Sequence, residues 1–468
     1  MDFTRKAYSR IQAWKQKKNR MPLIVEGLRQ VGKSYIVNKF ALENYEHVAV
    51  FDFRHNQKIR ECFQGDLTVE EILGSASVYF PPNTFVPGHT VLIFEEIGDC
   101  DEARTSLKSF ALDGGYDVIA TGSLLGVDNY RKKKRLPIPT GYEEYLKMSS
   151  LDFEEFLWAF STSEAAIDRL KKAAIGEASL PLPLQTYFLD MMKRYIAIGG
   201  MPDVIKSFQQ SNSYASAREV QERLLHDFRG DFGRFVDTDG VETIDYHLQT
   251  QLNQIFDSIP MQLSRETGNC KFQFASVGRG ARASTFKNAV DWLEKAGLVL
   301  KVYNTKAIEV PLTANADDSS YKLFLSDVGL LMACFPLSTL QSFLNDTLGS
   351  RKGAIYENLA AIMISKSGFP LFYYSDTKKH LEIDYLLETK GGIVLYEEKS
   401  TNGKMAASKA VMKGETPYRA SQCIKVVQSG FGEGDFFLTI PQYASLFYLE
   451  NERNKLEEGL IAKPVSQF

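Results

Sequence analysis

The strongest chemical signal in the sequence is the run Gly27-Leu-Arg-Gln-Val-Gly32-Lys33-Ser34. It follows the apolar stretch Pro22–Glu26 and precedes SYIVNKFALEN, which reads as a helix. Glycines in this setting reach backbone angles that aim successive N–H groups at phosphate oxygens, and the helix start adds positive potential. Arg29, Gln30 and Val31 fill the loop between the two glycines. Lys33 would reach the β- and γ-phosphates, and Ser34 would offer its hydroxyl to Mg²⁺. The expected cofactors are therefore ATP and Mg²⁺, held by Gly27, Arg29, Gln30, Val31, Gly32, Lys33 and Ser34.

A second run, Val91-Leu-Ile-Phe94, ends in Glu95-Glu96. Four apolar residues read as a buried strand, and acids at its end can serve the metal and the attacking water. Glu95 is the expected metal residue and Glu96 the catalytic one that orients or deprotonates water. Asp117-Val-Ile-Ala-Thr121-Gly-Ser123 is a further strand ending in hydroxyls, so Thr121 or Ser123 is a candidate γ-phosphate sensor; an ordinary strand-end turn is the alternative. Beyond it, the five cations Arg131 to Arg135 could meet nucleic-acid phosphates, although such runs usually form solvated loops.

The last third carries a different constellation. Leu381–Glu388 and Ile393–Lys399 flank Thr389-Lys-Gly-Gly392 and should form a hairpin. A Lys390-Gly391 turn sets Asp384 opposite Glu397, whereas a Gly391-Gly392 turn sets it opposite Lys399. Either register leaves Asp384, Glu397 and Lys399 on one face. Such a group is what a metal-dependent phosphodiesterase uses: acids for Mg²⁺ or Mn²⁺, and a lysine to activate water or steady the phosphate. Glu357, on a helix rich in alanine and isoleucine, is a costly acid unless a cation or donor meets it. The competing reading is an exposed cross-strand charge ladder with a solvated Glu357. None of the six histidines has metal-ligand spacing; His380 lies nearest the hairpin.

Elements must hold these groups in place. Residues 22–26, 47–53, 90–95 and 117–121 are short β-branched or aromatic runs separated by helix-like stretches, which predicts a parallel, doubly wound α/β sheet. Asp152 to Glu155 reads as a capping box. The middle is mostly helical, its clearest helix running from Ser284 to Gly297 with Phe286, Ala289, Val290, Leu293 and Ala296 on one face. A polar break at 314–320 precedes the last region. Three segments result: 1–165, 166–320 and 321–468.

Composition sets the outer limits. With 468 residues, 44% hydrophobic, the chain can bury several cores and is not globally disordered. Its 55 Lys and Arg against 58 Asp and Glu, a net charge of −3, exclude a chain-wide cationic surface, so any nucleic-acid contact must be local. No apolar run approaches a membrane span, and the basic start lacks the apolar core of a secretory signal. Five scattered cysteines without a CxxC fit reduced thiols, so a cytoplasmic setting without membrane partners is expected.

The stretches RMPLIVEGLRQVGKS, VLIFEEI, VIATGSLLG, PTGYEEYLKM, LDFEEFL and YIAIGGMP resemble prokaryotic ATPases of the AAA-like/STAND clade. These carry a C-terminal domain of unknown function. DSIPMQLSRE, FKNAVDWLEKAGLV and YKLFLSDVGLL resemble the middle and junction of the same family, so the likeness runs from residue 18 to 450. It implies a P-loop ATPase domain, a winged-helix-like module around 245–312 and a mixed α/β, restriction-endonuclease-like C-terminal domain. Glu357, Asp384, Glu397 and Lys399 match that superfamily's helical Glu and D…ExK pattern residue by residue. Glu95 stands where the family usually has Asp, and Glu398 where an apolar residue is usual. An arginine finger cannot be assigned, and one from a neighbouring copy would require oligomerisation. Two functions follow. The first is an ATPase whose nucleotide state controls nucleic-acid cleavage at the C-terminal site. The second is an ATP-operated switch whose nuclease-like fold binds a nucleic acid or protein without cutting.

Overall fold

The computed structural model describes residues 3–123, 141–236, 242–265, 271–376, 381–399 and 405–460. The basic run Arg131–Arg135 and His380 lie outside the described residues. The chain divides into two compact units, and the first comprises Met1–Leu151, Asp231–Gln249 and Asp291–Gly297.

In the first unit, β1 (Leu23–Glu26), β2 (His47–Asp52), β3 (Thr90–Glu95), β4 (Asp117–Gly122) and β5 (Glu144–Lys147) make one sheet in the order β2-β3-β4-β1-β5. Every pairing in it is parallel, as the strand–helix alternation predicts. Helices α1 (Lys6–Lys15), α2 (Lys33–Asn44), α3 (Val69–Ala76) and α4 (Asp101–Asp113) accompany it. A parallel sheet covered on both faces needs unbroken apolar strands, and residues 91–94 are fully buried. Phe51, Phe53, Phe63, Phe94 and Phe110 fill the core edge to face. β5 was not anticipated: its EYLK pattern is short, with only Leu146 buried. The unit also holds a small antiparallel pair, β6 (Arg234–Val236) with β7 (Glu242–Ile244).

The second unit comprises Asp152–Gly230, Thr250–Val290 and Leu298–Phe468. Its first helix, α5 (Phe153–Ala159), opens with the expected capping box, both reciprocal bonds being present between Asp152 and Glu155. The helices α6 (Glu164–Ala174), α7 (Leu182–Ile198), α8 (Pro202–Ser211) and α9 (Tyr214–Asp231) follow, the last residue of α9, Asp231, belonging to the first unit. Next come α10 (Tyr246–Leu263) and α11 (Ala283–Lys295), whose residues 246–249 and 291–295 are counted with the first unit. Phe286, Ala289, Val290, Leu293 and Ala296 are all buried, as their spacing predicts.

An eight-stranded mixed sheet carries the rest. It is built from β8 (Val299–Thr305), β9 (Ala316–Leu325), β10 (Phe372–Asp376), β11 (Leu381–Thr389) and β12 (Gly392–Glu398). The other three strands are β13 (Gln422–Val427), β14 (Gly432–Glu433) and β15 (Leu438–Pro441). The order is β14-β15-β13-β12-β11-β10-β8-β9. Thus the hairpin β8–β9, which begins inside the segment where the resemblance implied a winged-helix-like module, continues the C-terminal sheet through a parallel β8–β10 pairing. The last helices are α12 (Val328–Cys334), α13 (Leu337–Leu344), α14 (Lys352–Lys366), α15 (Ala406–Met412) and α16 (Gln442–Glu458). α14 lies against β8, β9 and β12. Among the described residues no helix is long and apolar enough to cross a membrane.

Candidate functional site

The glycine loop leaves β1 between β4 and β5. Gly27 has φ of 150°, and a Cβ there would lie 1.9 Å from the Met148 carbonyl oxygen. Only glycine lets the chain pass this close to the end of β5. Gln30 (φ 63°) and Gly32 (φ 92°) are also left-handed, which turns the loop into the start of α2. Arg5 braces it, donating from Nη1 to Val31 O at 2.8 Å and from Nη2 to Ser149 O at 2.6 Å.

Lys33 is buried, and its Nζ donates to Gly27 O at 3.0 Å and Leu28 O at 2.9 Å, inside the loop it closes. Burial drives the ammonium down to about 8; Glu96 opposes this, while Arg29 and Arg54 add to it. Among the described residues Lys33 meets carbonyl oxygens and makes no ion pair, and a nucleotide phosphate would supply the anion. Asn38 Nδ2 donates to Ser34 O at 2.9 Å and to Glu95 Oε1 at 2.8 Å. The two residues expected at Mg²⁺ are thus joined through one side chain, and the hard oxygens of Ser34 and Glu95 suit that ion.

Glu96 sits in a left-handed conformation (φ 51°) immediately after β3. Its N–H donates to Thr121 Oγ1 at 3.2 Å, so Thr121 holds the backbone of Glu96. Ser123 Oγ donates to Glu96 Oε2 at 3.1 Å and accepts from Arg29 Nε at 3.2 Å. Arg54 Nη2 lies 3.4 Å from Glu96 Oε2, and its Nε lies 2.9 Å from Asp99 Oδ2. Arg29 Nη1 pairs with Asp231. Sequence reasoning missed Asn38, Arg54 and Asp231. The i,i+4 spacing of Ser34 and Asn38 could have revealed the first; the others come from distant positions with no local signal.

The C-terminal hairpin takes the Lys390-Gly391 turn, since Tyr385 pairs with Tyr396 and Thr389 with Gly392. Lys399 Nζ lies 2.7 Å from Asp384 Oδ2 and 2.7 Å from Glu397 Oε2. Glu398 N–H donates to Asp384 Oδ2 at 2.9 Å, and Ser408 donates to Glu397. Burial raises Asp384, but Lys399 and Lys322 outweigh it and hold the carboxyl below its ordinary range. Burial and Asp384 together push Glu397 up. Glu357 meets the cation its position demands: Lys322 Nζ is 2.5 Å from its Oε1 and 3.6 Å from Glu382 Oε1. Burial and the Asp384 charge still raise Glu357. Lys322 was missed, although a lone lysine in the apolar run Tyr321–Leu325 was its signal.

The hairpin acids and Glu357 therefore interact, both directly through their charges and through two lysines. Among the described residues no group of three or more His, Cys, Asp or Glu side chains is placed to hold a metal ion. Of the residues expected at a metal centre, Asp384 and Glu397 share the Lys399 ammonium, while Glu357 is held by the Lys322 ammonium.

Residues 19–157 match the family described as AAA domain. Residues 189–341 match a domain of unknown function (DUF8612), and residues 352–443 match another (DUF4143). Comparison with the curated proteins gives no match. Among solved structures, the Aeropyrum pernix ORC1 protein in complex with DNA is similar at 10% identity and a TM-score of 0.30, covering 74% of this chain and 93% of that one. The Thermotoga maritima RuvB Holliday junction branch migration motor is similar at 11% identity and a TM-score of 0.27, covering 64% and 89%. The glycine loop, the parallel sheet that carries it and the AAA-domain match over the same residues make the N-terminal region a P-loop fold of AAA type, one that supports ATP binding and hydrolysis.

Proposed function

We propose that this chain is an Mg²⁺-dependent ATPase that works as a nucleotide-operated switch, with a C-terminal module that binds a nucleic-acid or protein partner without cutting it. The observation that carries the first half is the convergence of buried Lys33 with Glu96, Ser123 and Arg29 around one glycine loop. Loop N–H groups and Lys33 bind the phosphates, and Glu96 orients and deprotonates water while Ser123 and Thr121 fix it in place. Mg²⁺, held by Ser34 with Glu95, supplies charge neutralisation at the phosphates when bound.

For the second half, the support is the lysine pairing of Asp384, Glu397 and Glu357. Acids neutralised by lysine side chains are poor metal ligands, which favours binding over metal-dependent cleavage. The proposed division of labour keeps three stretches: 1–165 for nucleotide, 166–320 as connecting region and 321–468 as partner module, with β8 and the first half of β9 reaching from the second stretch into the sheet of the third. Free, mostly buried Cys62, Cys100, Cys334 and Cys423 support a reducing, cytoplasmic setting.

ATP turnover should fall at least about 100-fold in Lys33→Ala and in Glu96→Gln, with Glu96→Gln still binding ATP. Turnover by Lys33→Ala at the wild-type rate would sink the P-loop assignment. Single-stranded, duplex and branched DNA incubated with Mg²⁺ or Mn²⁺ should give no cleavage that distinguishes wild type from Asp384→Ala. Cleavage lost in Asp384→Ala would reinstate the nuclease.

A further inference from the structure

Arg29, a residue of the nucleotide loop, is paired with an acid. It lies within the glycine loop, two residues after Gly27 and three before Gly32. Its Nε shares Ser123 Oγ with the Glu96 carboxylate, at 3.2 and 3.1 Å respectively. One hydroxyl therefore separates the guanidinium from the acid read as the water-orienting group, which puts Arg29 on the side of the terminal phosphate. Its Nη1 is nevertheless committed to Asp231. Asp231 is the last residue of α9, an 18-residue helix. An anion there opposes the helix dipole, whose C-terminal end is already negative, so Asp231 depends on cations for its stability. Arg29 supplies one directly, and Arg234 Nε stands farther off at 3.8 Å.

From this geometry we infer that Asp231 is a latch on Arg29: it occupies the guanidinium until a nucleoside triphosphate takes it, and its release loosens the end of α9. This rests on the P-loop reading and deepens it by assigning the residue that distinguishes triphosphate from diphosphate. Arg29 has two mutually exclusive anions to serve, the carboxylate of Asp231 and the terminal phosphoryl group. A ligand shifts such an equilibrium only by its differential affinity for the two arrangements. The triphosphate has that difference because it alone places charge beside Ser123 and Glu96. The diphosphate leaves Arg29 on Asp231. Asp231 is thus a positioning residue, acting on nucleotide through Arg29, and it converts the presence of the third phosphate into a lost partner at a helix terminus.

The test is equilibrium binding of a non-hydrolysable ATP analogue and of ADP, with Mg²⁺, to the full chain. Asp231→Asn is nearly isosteric and keeps the site's shape; a thermal melt confirms that each variant is folded. Asp231→Asn should tighten analogue binding about fivefold or more while changing ADP less than twofold. Arg29→Ala should weaken analogue binding several-fold more than it weakens ADP binding. In Arg29→Ala/Asp231→Asn the Asp231 effect should vanish, because the latch has nothing to hold. Amide exchange over residues 225–231 should speed up with the analogue and not with ADP. An unchanged or weakened analogue affinity in Asp231→Asn, or strictly additive effects, would overturn the latch. Lys33→Ala separates this from failure of the underlying reading: analogue binding unaffected by that change would mean the loop is no nucleotide site at all.

Discussion

Lys322 and Glu357 form an ion pair at 2.5 Å, Lys322 coming from β9 and Glu357 from α14. The lysine side chain is almost wholly buried, whereas about a quarter of the glutamate remains exposed (27%). Removing one partner of such a pair leaves the other charge desolvated, which costs more than the pair contributes when intact. Lys322→Met should destabilise the protein by about 2 kcal/mol, below the roughly 3–5 kcal/mol of a fully buried pair because Glu357 keeps some water. Adding Glu357→Gln should recover at least half of the loss. Denaturation midpoints of the three variants check this.

Nucleotide affinity should depend on pH through Lys33. Burial holds its ammonium down to about 8 in the nucleotide-free protein. Below that pH the group is charged and ready for phosphate; above it the proton must be regained on binding. ATP affinity, measured with saturating Mg²⁺, should therefore weaken about tenfold from pH 7 to pH 9. Lys33→Met should bind weakly with a flat profile. A flat profile in the wild type would contradict the burial argument.

Glu398 should behave as a neutral acid. Burial pushes its carboxyl well above the ordinary range, and Gln442 Nε2 donates to it at 2.7 Å. An acid whose folded value is raised contributes stability at low pH and loses it as pH climbs above the unfolded value. Glu398→Gln removes that loss, so it should match wild type near pH 4 and exceed it by roughly 1–2 kcal/mol at pH 8. A stability difference that does not widen with pH would show Glu398 to be ionised in place.

Gly27→Ala should be among the most damaging single changes. Its Cβ would meet the Met148 carbonyl at 1.9 Å, and backbone cannot move aside as a flexible side chain can. A loss of about 3 kcal/mol or more is expected, together with loss of ATP binding. A folded Gly27→Ala variant with wild-type affinity would show that the turn can relax.

Much of this was legible locally. β1 to β4 were readable because a doubly covered sheet forces continuous apolar runs, and α11 because its buried face repeats at helical spacing. The hairpin could be read down to two registers; the choice between them depended on which residues the turn takes, and Lys390-Gly391 and Gly391-Gly392 are chemically similar. The partners of the site residues were much harder to see. Arg29 and Asp231 are 202 positions apart, Lys322 and Glu357 lie on separate elements, and nothing in either neighbourhood points to the other. The surroundings of Asp384 and Glu397 were partly hidden for a related reason: the sequence shows that two acids and a lysine share a face, but only the structure shows the lysine standing between both acids.

The discontinuous make-up of the first unit has a consequence during synthesis. Its main stretch ends at Leu151, yet its last segment ends at Gly297, so 297 − 151 = 146 further residues must be translated before the unit is whole. At typical elongation rates that takes roughly 7–30 s. For the first 231 − 151 = 80 of those residues the five-stranded sheet exists on the ribosome without Asp231, and its last piece arrives only at the end of the interval, so the nascent glycine loop is made before the acid that restrains it.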